Sequence, residues 1–379
     1  MQQTHYDYII AGTGLAGLSL AMHIVQQNAL QDKRILLVDE VRKQANDRTW
    51  CFWEKEDGFF EPVVCKRWEK LWFHSASFSK KLSIAPYRYK MIRGIDFYRH
   101  CLETLEKSAN VTFLQAKVEN VFYGDTTGIV AGGKEYKAHF VFNSIPPQKP
   151  VLEKKHVWLL QHFKGWTIET PEPVFKPEEA TLMDFRVSQK RGTTFCYVLP
   201  VSPTKALVEY TLFTPTLLQP EEYDEELKNY ISNYLALENY TVTESEFGII
   251  PMTNYRFSKG EKNIINIGTA GGQTKGSSGY TFYFIQQHSQ HIIAQLLSGK
   301  HPRVASSPMR FHFYDSVLLE VLRENRLEGA TIFTQLFKKN KPQPVLSFLN
   351  NASSLPAELG IISSLPTLPF LRAAIRQVF

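Results

Sequence analysis

The first apolar segment of the sequence runs Tyr8-Ile9-Ile10-Ala11-Gly12-Thr13-Gly14-Leu15-Ala16-Gly17. An apolar strand thus leads directly into the pattern G-x-G-x-x-G, and the apolar residues that follow have helical spacing. A second apolar run, residues 34–38, ends at Asp39 about twenty residues after the last glycine. This order of strand, glycine turn, helix and strand predicts a nucleotide-binding βαβ unit.

The glycine turn is predicted to bind a diphosphate. Glycines permit a tight turn and close approach of the backbone, and the helix N-terminus behind them faces the phosphates. Asp39 is predicted to bind a ribose hydroxyl. An ordinary α/β domain with a glycine turn is the alternative interpretation. The residues assigned to the diphosphate are Gly12, Gly14, Leu15, Ala16 and Gly17.

FAD is favoured over a nicotinamide as the bound cofactor. The motif comes early, and no second G-x-G-x-x-G follows, since Ala131-Gly132-Gly133 and Gly271-Gly272 lack the spacing. This suits a flavoprotein whose first segment binds the ADP half of FAD. NAD(P)H would then visit transiently as a reductant.

Composition limits the class of protein. The 379 residues are 43% hydrophobic, enough for one large core or two intergrown domains. The net charge of +6 is scattered along the chain, which argues against nucleic acid as a partner. Four cysteines without C-x-x-C spacing, and no recognisable export signal before the first strand, favour a cytoplasmic location. No apolar stretch is long enough to span a bilayer.

The expected fold class is α/β, with an FAD-binding Rossmann-like domain of the glutathione-reductase type. An antiparallel-sheet substrate domain and a helical C-terminal region complete it. Helical spacing predicts a helix over 95–107, and acids in a first turn indicate another over 221–237. Strands are predicted at 111–122 and 134–143 and, in the second sheet, at 157–163, 180–186, 194–199 and 206–213.

These patterns divide the chain into three parts. The FAD-binding domain is assigned to residues 1–50, 95–150 and 255–300, and the substrate domain to 51–94 and 151–254. A late strand at 263–268, followed by a glycine-rich turn and a helix over 280–297, is predicted to return to the first domain. Backbone donors of this turn would contact the other end of FAD.

Residues 301–379 are predicted to form a helical, membrane-facing segment. At its end, Leu371, Ala374, Ile375 and Val378 share one helical face, with two arginines on another. A small basic amphipathic helix of this kind suits a membrane interface. The alternative is a terminal helix that packs on the protein's own core.

Several further stretches carry a family resemblance. They are Arg48-Thr49-Trp50, Met183-Asp184-Phe185, Tyr197-Val198-Leu199-Pro200, Ala206-Leu207-Val208-Glu209-Tyr210-Thr211, Gly248-Ile249-Ile250-Pro251-Met252, Gly268-Thr269-Ala270-Gly271-Gly272 and Lys275-Gly276-Ser277-Ser278-Gly279-Tyr280. In this order and spacing the chain resembles the lycopene cyclases of bacteria and plants, from residue 8 to about 300.

The resemblance implies a flavoprotein attached peripherally to membranes that closes the open ends of lycopene into β-rings. The products are γ-carotene and then β-carotene. The reaction is redox-neutral, an isomerisation, although the family requires reduced FAD with NAD(P)H as reductant. The late residues implied to contact FAD are Gly268, Gly271, Gly272, Gly276, Ser278 and Gly279.

Glu209 carries the catalytic role that the resemblance implies. In the acid-rich version of the family motif a second carboxylate follows the first, whereas Tyr210 follows here. Ring closure needs a proton on the terminal double bond, and a carboxylic acid in an apolar cavity can hold one at neutral pH. Strand alternation places Leu207, Glu209 and Thr211 on one face. A solvated or ion-paired Glu209 is the alternative.

Other candidates have two interpretations each. Asp184 is a second catalytic candidate or an ion-pair partner of a nearby arginine. Arg48 would neutralise the pyrophosphate or pair with Asp47. Reduced flavin would either stabilise the cation or carry the proton itself. The dispersed histidines show no metal-ligand spacing, so no metal is expected.

Three other functions share parts of this pattern. An FAD-dependent monooxygenase or an isoprenoid reductase would have the same first motif, but such enzymes usually carry Gly-Asp where this chain has Gly268-Thr269. A non-catalytic flavin- or carotenoid-binding protein is the third. The sequence leaves open β against ε rings, one end against both, NADH against NADPH, and the oligomeric state.

Overall fold

The computed structural model describes residues 5–146, 148–303, 307–325 and 327–378. The strands within these ranges are β1 (His5–Ala11), β2 (Ile35–Asp39), β3 (Thr49–Glu54), β4 (Lys66–Trp68), β5 (Lys70–Ser75), β6 (Phe78–Ser83), β7 (Arg88–Arg93), β8 (Val111–Gln115), β9 (Val118–Phe122), β10 (Thr127–Ala131), β11 (Lys134–Asn143), β12 (Trp158–Glu169), β13 (Glu179–Asp184), β14 (Thr193–Pro200), β15 (Lys205–Thr214), β16 (Thr241–Thr253), β17 (Gly260–Glu261) and β18 (Ile264–Asn266).

The same ranges contain helices between and after the strands. They are α1 (Leu15–Val25), α2 (Gly94–Leu105), α3 (Pro220–Leu235), α4 (Phe282–Leu297), α5 (Met309–Glu324), α6 (Gly329–Lys339), α7 (Pro342–Leu349), α8 (Leu355–Ser364) and α9 (Thr367–Val378). No helix of the described ranges is both long and apolar enough to cross a bilayer.

The first sheet is built on the predicted βαβ unit. Its central order is β17-β18-β11-β1-β2-β8, and β1 pairs in parallel with both β2 and β11. Strand β1 is apolar and buried from Tyr8 to Ala11, because helices cover one face and a smaller antiparallel layer of β9 and β10 covers the other. Helix α1 packs on α4 and α2, so the late helix returns to this sheet as predicted.

The second sheet has the order β16-β12-β15-β14-β13-β5-β6. Its pairs are antiparallel, as expected, except that β13 runs parallel to β5. Helix α3 packs on one face, against β12 and β15. The C-terminal helices α5 to α9 and strands from residues 51–94 build a core on the other face. The predicted α/β class, with a second sheet and a helical C-terminal region, is thus confirmed.

Some elements differ from the sequence prediction. The run 111–122 is two strands, because β8 joins β2 whereas β9 turns away to pair with β10. Strand β16 was not predicted, because its first half is polar. It is a strand because it pairs with β12 along its whole length. Strands β3, β4 and β7 form a small sheet of their own. The proposed domain boundaries stay a prediction.

Candidate active site

A cavity of about 650 Å³ extends from the β1–α1 turn to one face of the second sheet. It brings together most of the predicted site residues, namely Gly12, Gly14, Leu15, Ala16, Asp39, Arg48, Glu209, Gly268, Ser278 and Gly279. Gly17, Gly271, Gly272, Gly276 and Asp184 are not among the residues that line it.

The β1–α1 turn forms one end of the cavity. Gly12 has a φ of +93°, a backbone conformation that side chains disfavour, and its N–H donates to the Val38 carbonyl at 2.7 Å. A Cβ atom on Gly17 would lie 2.0 Å from the Gly12 carbonyl oxygen, so glycine lets α1 start against the turn. Gly14 caps α1 with no side chain, which leaves the first N–H groups of the helix available to an anion.

Asp39 and Arg48 lie beside this turn. The Asp39 carboxylate accepts hydrogen bonds from Thr13, at 2.6 Å from the backbone N–H and 2.8 Å from the hydroxyl. This fixes the acid at the end of β2, where a ribose hydroxyl is bound in nucleotide folds. Arg48 lines the cavity, as a partner of the pyrophosphate would. Its Nε also lies 3.9 Å from Asp47 Oδ2, which is the ion pair of the alternative interpretation.

The late glycine turn closes the same end from the other side. A Cβ atom on Gly268 would lie 2.7 Å from the Ala16 Cβ, which shows how closely the turn after β18 approaches α1. Ser278 Oγ and Gln161 Oε1 are buried without a hydrogen-bond partner, and both residues line the cavity. Buried polar atoms of this kind call for a polar ligand or water. A dinucleotide fits this set of features: the β1–α1 turn, the N-terminus of α1, the Asp39 carboxylate and the unpaired polar atoms.

Glu209 lies on the second sheet, where it faces the cavity. It stands opposite Tyr197 on β14 and Gly165 on β12. Its Oε1 accepts a hydrogen bond of 2.6 Å from the Thr211 hydroxyl, so these two residues share the predicted face. Burial, and next the negative charge of Glu246, raise the pKa of Glu209 to about 8, although the Thr211 hydrogen bond acts in the opposite direction.

The walls around Glu209 are apolar and aromatic. Phe163 from β12, Tyr197 from β14, and Tyr280 after the late turn line the cavity together with leucine and isoleucine side chains. Burial raises the pKa of the Tyr197 and Tyr280 hydroxyls, so both stay neutral. The arrangement offers a protonated carboxylic acid and π faces to an apolar substrate.

Asp184 is placed apart from this cavity. It is fully buried and its carboxylate accepts hydrogen bonds from Arg186 Nε at 2.9 and 3.1 Å and from the Tyr230 hydroxyl at 2.8 Å. Burial raises its pKa, but the hydrogen bonds and charge of Arg186 outweigh burial, and the pKa of Asp184 lies below its ordinary value. The structure therefore places Asp184 in the ion pair that was its alternative interpretation.

Comparison with known proteins decides the family. A family model described as "Lycopene cyclase protein" matches residues 7–375. The chain belongs to the lycopene cyclase family. It is 27% identical over 263 residues to the lycopene beta-cyclase of Pantoea ananas, covering 66% of this chain and 63% of that protein. It is 22% identical over 264 residues to the lycopene beta-cyclase of Pseudescherichia vulneris, covering 65% and 62%.

These matches span less than two thirds of the length of the two lycopene cyclases. Among solved structures, the chain resembles a geranylgeranyl bacteriochlorophyll reductase-like protein from Thermoplasma acidophilum with a TM-score of 0.67 and 11% identity, over 97% of this chain and 98% of the other. This likeness extends over both sheets and the C-terminal helices. The chain also resembles a flavoprotein/dehydrogenase from Cytophaga hutchinsonii with a TM-score of 0.60 and 11% identity, over 99% of both chains. The two likenesses confirm the Rossmann-like flavoprotein fold that the sequence predicted.

Sequence reasoning missed three residues in or next to the site of this lycopene cyclase family member, two that line the cavity and one beside it. Gln161 and Tyr197 lie on strands that were predicted, but their place in one cavity with Glu209 depends on the register between β12, β14 and β15. Glu246 lies on β16, which was not predicted at all. The available signal was the spacing of Glu244, Glu246 and Gly248 by two residues, which is the period of a strand.

Proposed function

We propose that this chain is a lycopene β-cyclase that converts the linear ends of lycopene to β-rings, through γ-carotene to β-carotene. One observation carries the proposal: a continuous cavity joins the glycine turn predicted to bind a dinucleotide to a half-buried glutamic acid among aromatic walls. Membership of the lycopene cyclase family supports carotenes as substrates.

Glu209 is the acid and base of the proposed reaction. Its raised pKa leaves it protonated at neutral pH, so it can deliver a proton to the terminal double bond of the substrate. The resulting tertiary cation is attacked by a nearby double bond of the same chain, which forms the ring. The Glu209 carboxylate, left ionised by the first step, then takes a different proton from a ring carbon, so that the product is an isomer of the substrate and Glu209 is protonated again.

The residues around the β1–α1 turn would hold the dinucleotide part of FAD. The α1 N-terminus and Gly12 would bind the diphosphate, Asp39 the adenosine ribose, and the turn at Gly268 and Gly279 the flavin end. Reduced FAD would supply an electron-rich ring that stabilises positive charge in the cavity, with NAD(P)H as the reductant class.

The aromatic residues next to Glu209 would assist in the same way. Phe163, Tyr197 and Tyr280 line the cavity and present π electrons to a developing cation. They also exclude water, which would otherwise trap the cation as an alcohol.

Membrane attachment through α8 and α9 belongs to this proposal. The two helices expose large apolar side chains, with relative exposures of 38–68%, at Leu355, Leu359, Ile362, Leu368, Leu371, Ile375 and Val378. Only the opposite side of α9, at Ala373, is buried. Each buried methylene is worth about 0.8 kcal/mol, so a polyene substrate is best taken from lipid at a cytoplasmic membrane surface.

An assay with the purified chain tests the proposal. The protein is incubated anaerobically with FAD, NADPH and lycopene in liposomes. The pigments are then separated, and their masses are determined by mass spectrometry. We expect cyclic products of the same mass as lycopene, without net consumption of NADPH beyond flavin reduction. A product that has gained hydrogen would instead indicate a reductase, and a product that gains oxygen once air is admitted would indicate a monooxygenase.

A further inference from the structure

A second carboxylate lies across the sheet from Glu209. Gly165 on β12 stands directly opposite Glu209 on β15, and directly opposite Glu246 on β16. Directly opposed residues of antiparallel strands project to the same face of a sheet. Glu209 and Glu246 therefore flank Gly165 on one face.

Gly165 keeps the space between the two carboxylates free of a side chain. A Cβ atom there would lie 3.1 Å from Cγ and 3.3 Å from Oε1 of Glu246, and 3.0 Å from Cδ1 of Leu207. The Glu246 side chain thus extends over Gly165 toward the strand that carries Glu209. A larger residue at this position would separate the pair.

Glu246 is buried with half of its carboxylate unsatisfied. Its relative exposure is 7%, its Oε2 accepts a hydrogen bond of 2.7 Å from the Thr49 hydroxyl, and its Oε1 has no partner. Within the described residues, neither Glu209 nor Glu246 forms an ion pair with a basic side chain. A salt bridge therefore does not explain why Glu246 is buried.

Two unpaired carboxylates in one apolar region do not both ionise near neutral pH. Each buried charge is costly, and the two like charges repel each other. The protons leave such a pair in two separate steps. Between the steps the pair holds one proton and one negative charge.

The surroundings place the charge on Glu246. Burial raises the pKa of Glu246 to about 7, and the charges of Glu244 and Asp47 raise it too, while the Thr49 hydrogen bond and the charge of Arg48 lower it. A donor and a cation thus favour the anion at this member of the pair.

Among the described residues, no basic side chain contributes to the pKa shift of Glu209. Its titratable neighbours are Cys51 on β3, Cys196 and Tyr197 on β14, and Tyr280. Burial raises the pKa of each of these groups, so they stay neutral at neutral pH. The proton of the pair is therefore favoured at Glu209.

We infer that Glu246 is a positioning residue, which takes the single negative charge of the pair and thereby keeps the proton on Glu209. The consequence for catalysis rests on the proposed function, because Glu209 must be protonated to start ring closure. The shared proton itself is a property of the folded chain and does not depend on any substrate.

Infrared difference spectroscopy measures the pair directly. The purified protein, labelled with ¹³C-glutamate and free of substrate, is titrated with base while the protonated carboxyl band is followed. Glu209→Gln and Glu246→Gln assign the two steps. We expect Glu246→Gln to move the remaining Glu209 step to lower pH by at least about one unit, because the repelling charge is gone. Glu169→Gln, a charge removal at the exposed end of β12, should leave both steps in place.

The pH profile of ring formation gives the second readout. Activity needs protonated Glu209, so it is lost as the pH rises, and Glu246→Gln should bring this loss to lower pH by the same amount. Glu246→Asp keeps the charge and should stay closer to the wild-type profile. A purely structural role would reduce activity equally at all pH values in Glu246→Gln, and that result would overturn the inference.

The outcomes separate the two proposals. An unshifted Glu209 band in Glu246→Gln overturns the pair even if cyclisation proceeds normally. A shifted band in a protein that makes no cyclic product supports the pair and overturns the proposed function. If Glu246→Gln does not fold, Glu209→Gln tests the same pair. The lower step, that of Glu246, should stay in place, because Glu246 ionises beside a neutral neighbour in both proteins, and the upper step should vanish. Loss of the lower step would instead place the charge on Glu209 and overturn the inference.

Discussion

Glu209 combines two properties that exposed glutamates lack. It faces an apolar cavity, and it lies near another negative charge, so its proton is held more tightly than in water. The only hydrogen bond that the structure gives its carboxylate within the described residues comes from Thr211. At the scale of one residue, the proposed chemistry depends on this proton.

Replacing Glu209 with glutamine tests that dependence. Glu209→Gln keeps the shape but removes the acidic proton, so ring formation should fall by at least about 100-fold, the usual contribution of an acid–base group. FAD content, measured by absorbance after denaturation, should stay at the wild-type level. Full activity of this variant would exclude Glu209 as the acid.

Asp184 provides a contrasting case. Its carboxylate is buried, paired with Arg186 and hydrogen-bonded by Tyr230. Asp184→Ala should lower the free energy of unfolding by about 2 kcal/mol, because it leaves Arg186 without its ion-pair partner. The loss is moderate because Arg186 is partly exposed to solvent, which screens its charge. Urea unfolding measures this change. Unchanged stability with loss of cyclisation would return Asp184 to the list of catalytic residues.

At the scale of elements, the turn between β1 and α1 must leave space for the cofactor on one side and let α1 pack closely against the turn on the other. Gly17 meets the Gly12 carbonyl, whereas a Cβ atom on Gly14 would meet no protein atom within 4 Å. The two glycines therefore serve different purposes. Gly17 supports packing, and Gly14 leaves room at the helix N-terminus.

This difference predicts the result of Gly14→Val. The fold should persist because the side chain enters open space, but FAD should no longer be retained because that space is needed by the diphosphate. Flavin content of the purified protein is the measurement. Gly124→Val, in an exposed loop and equally free of contacts, is the matched control. Unchanged flavin in Gly14→Val would show that the motif does not bind the cofactor.

Helix α9 allows the second prediction at this scale. Leu371 and Ile375 are 54% and 52% exposed, whereas Arg376, also exposed, lies beside α5 with its Nη1 3.4 Å from Glu320 Oε1. The double variant Leu371→Glu and Ile375→Glu should reduce co-sedimentation with anionic liposomes by at least about tenfold, because it removes apolar area from the interface. Val174→Glu, at a 45% exposed valine elsewhere, should bind normally. Equal binding of all three proteins would contradict attachment through α9.

At the scale of the molecule, the sequence predicts features that depend on contiguous residues, but it does not predict features that depend on the register between distant strands. The β1–α1–β2 unit follows from residues 8–39, because its strand, turn and helix signals are contiguous. Glu209 was selected through the family resemblance, together with an apolar strand pattern. The positions of Gln161, Tyr197 and Glu246 relative to Glu209 could not be predicted, because they depend on the pairing of strands distant in sequence.

The C-terminal region shows the same limit. The sequence predicts an amphipathic α9, but two partners compete for its apolar face, lipid or the protein core. The structure packs Ala373 inward and leaves Leu371, Ile375 and Val378 outward. Composition cannot decide this, because the choice depends on which side of α9 packs on α5.

Deuterium incorporation tests the central claim most directly, that ring closure starts with the addition of an exchangeable proton to the substrate. The protein is incubated with lycopene and reduced FAD in D₂O, and the products are analysed by mass spectrometry. We predict one deuterium in each ring formed, retained at the carbon that was protonated. Cyclic products that carry no deuterium would contradict the account.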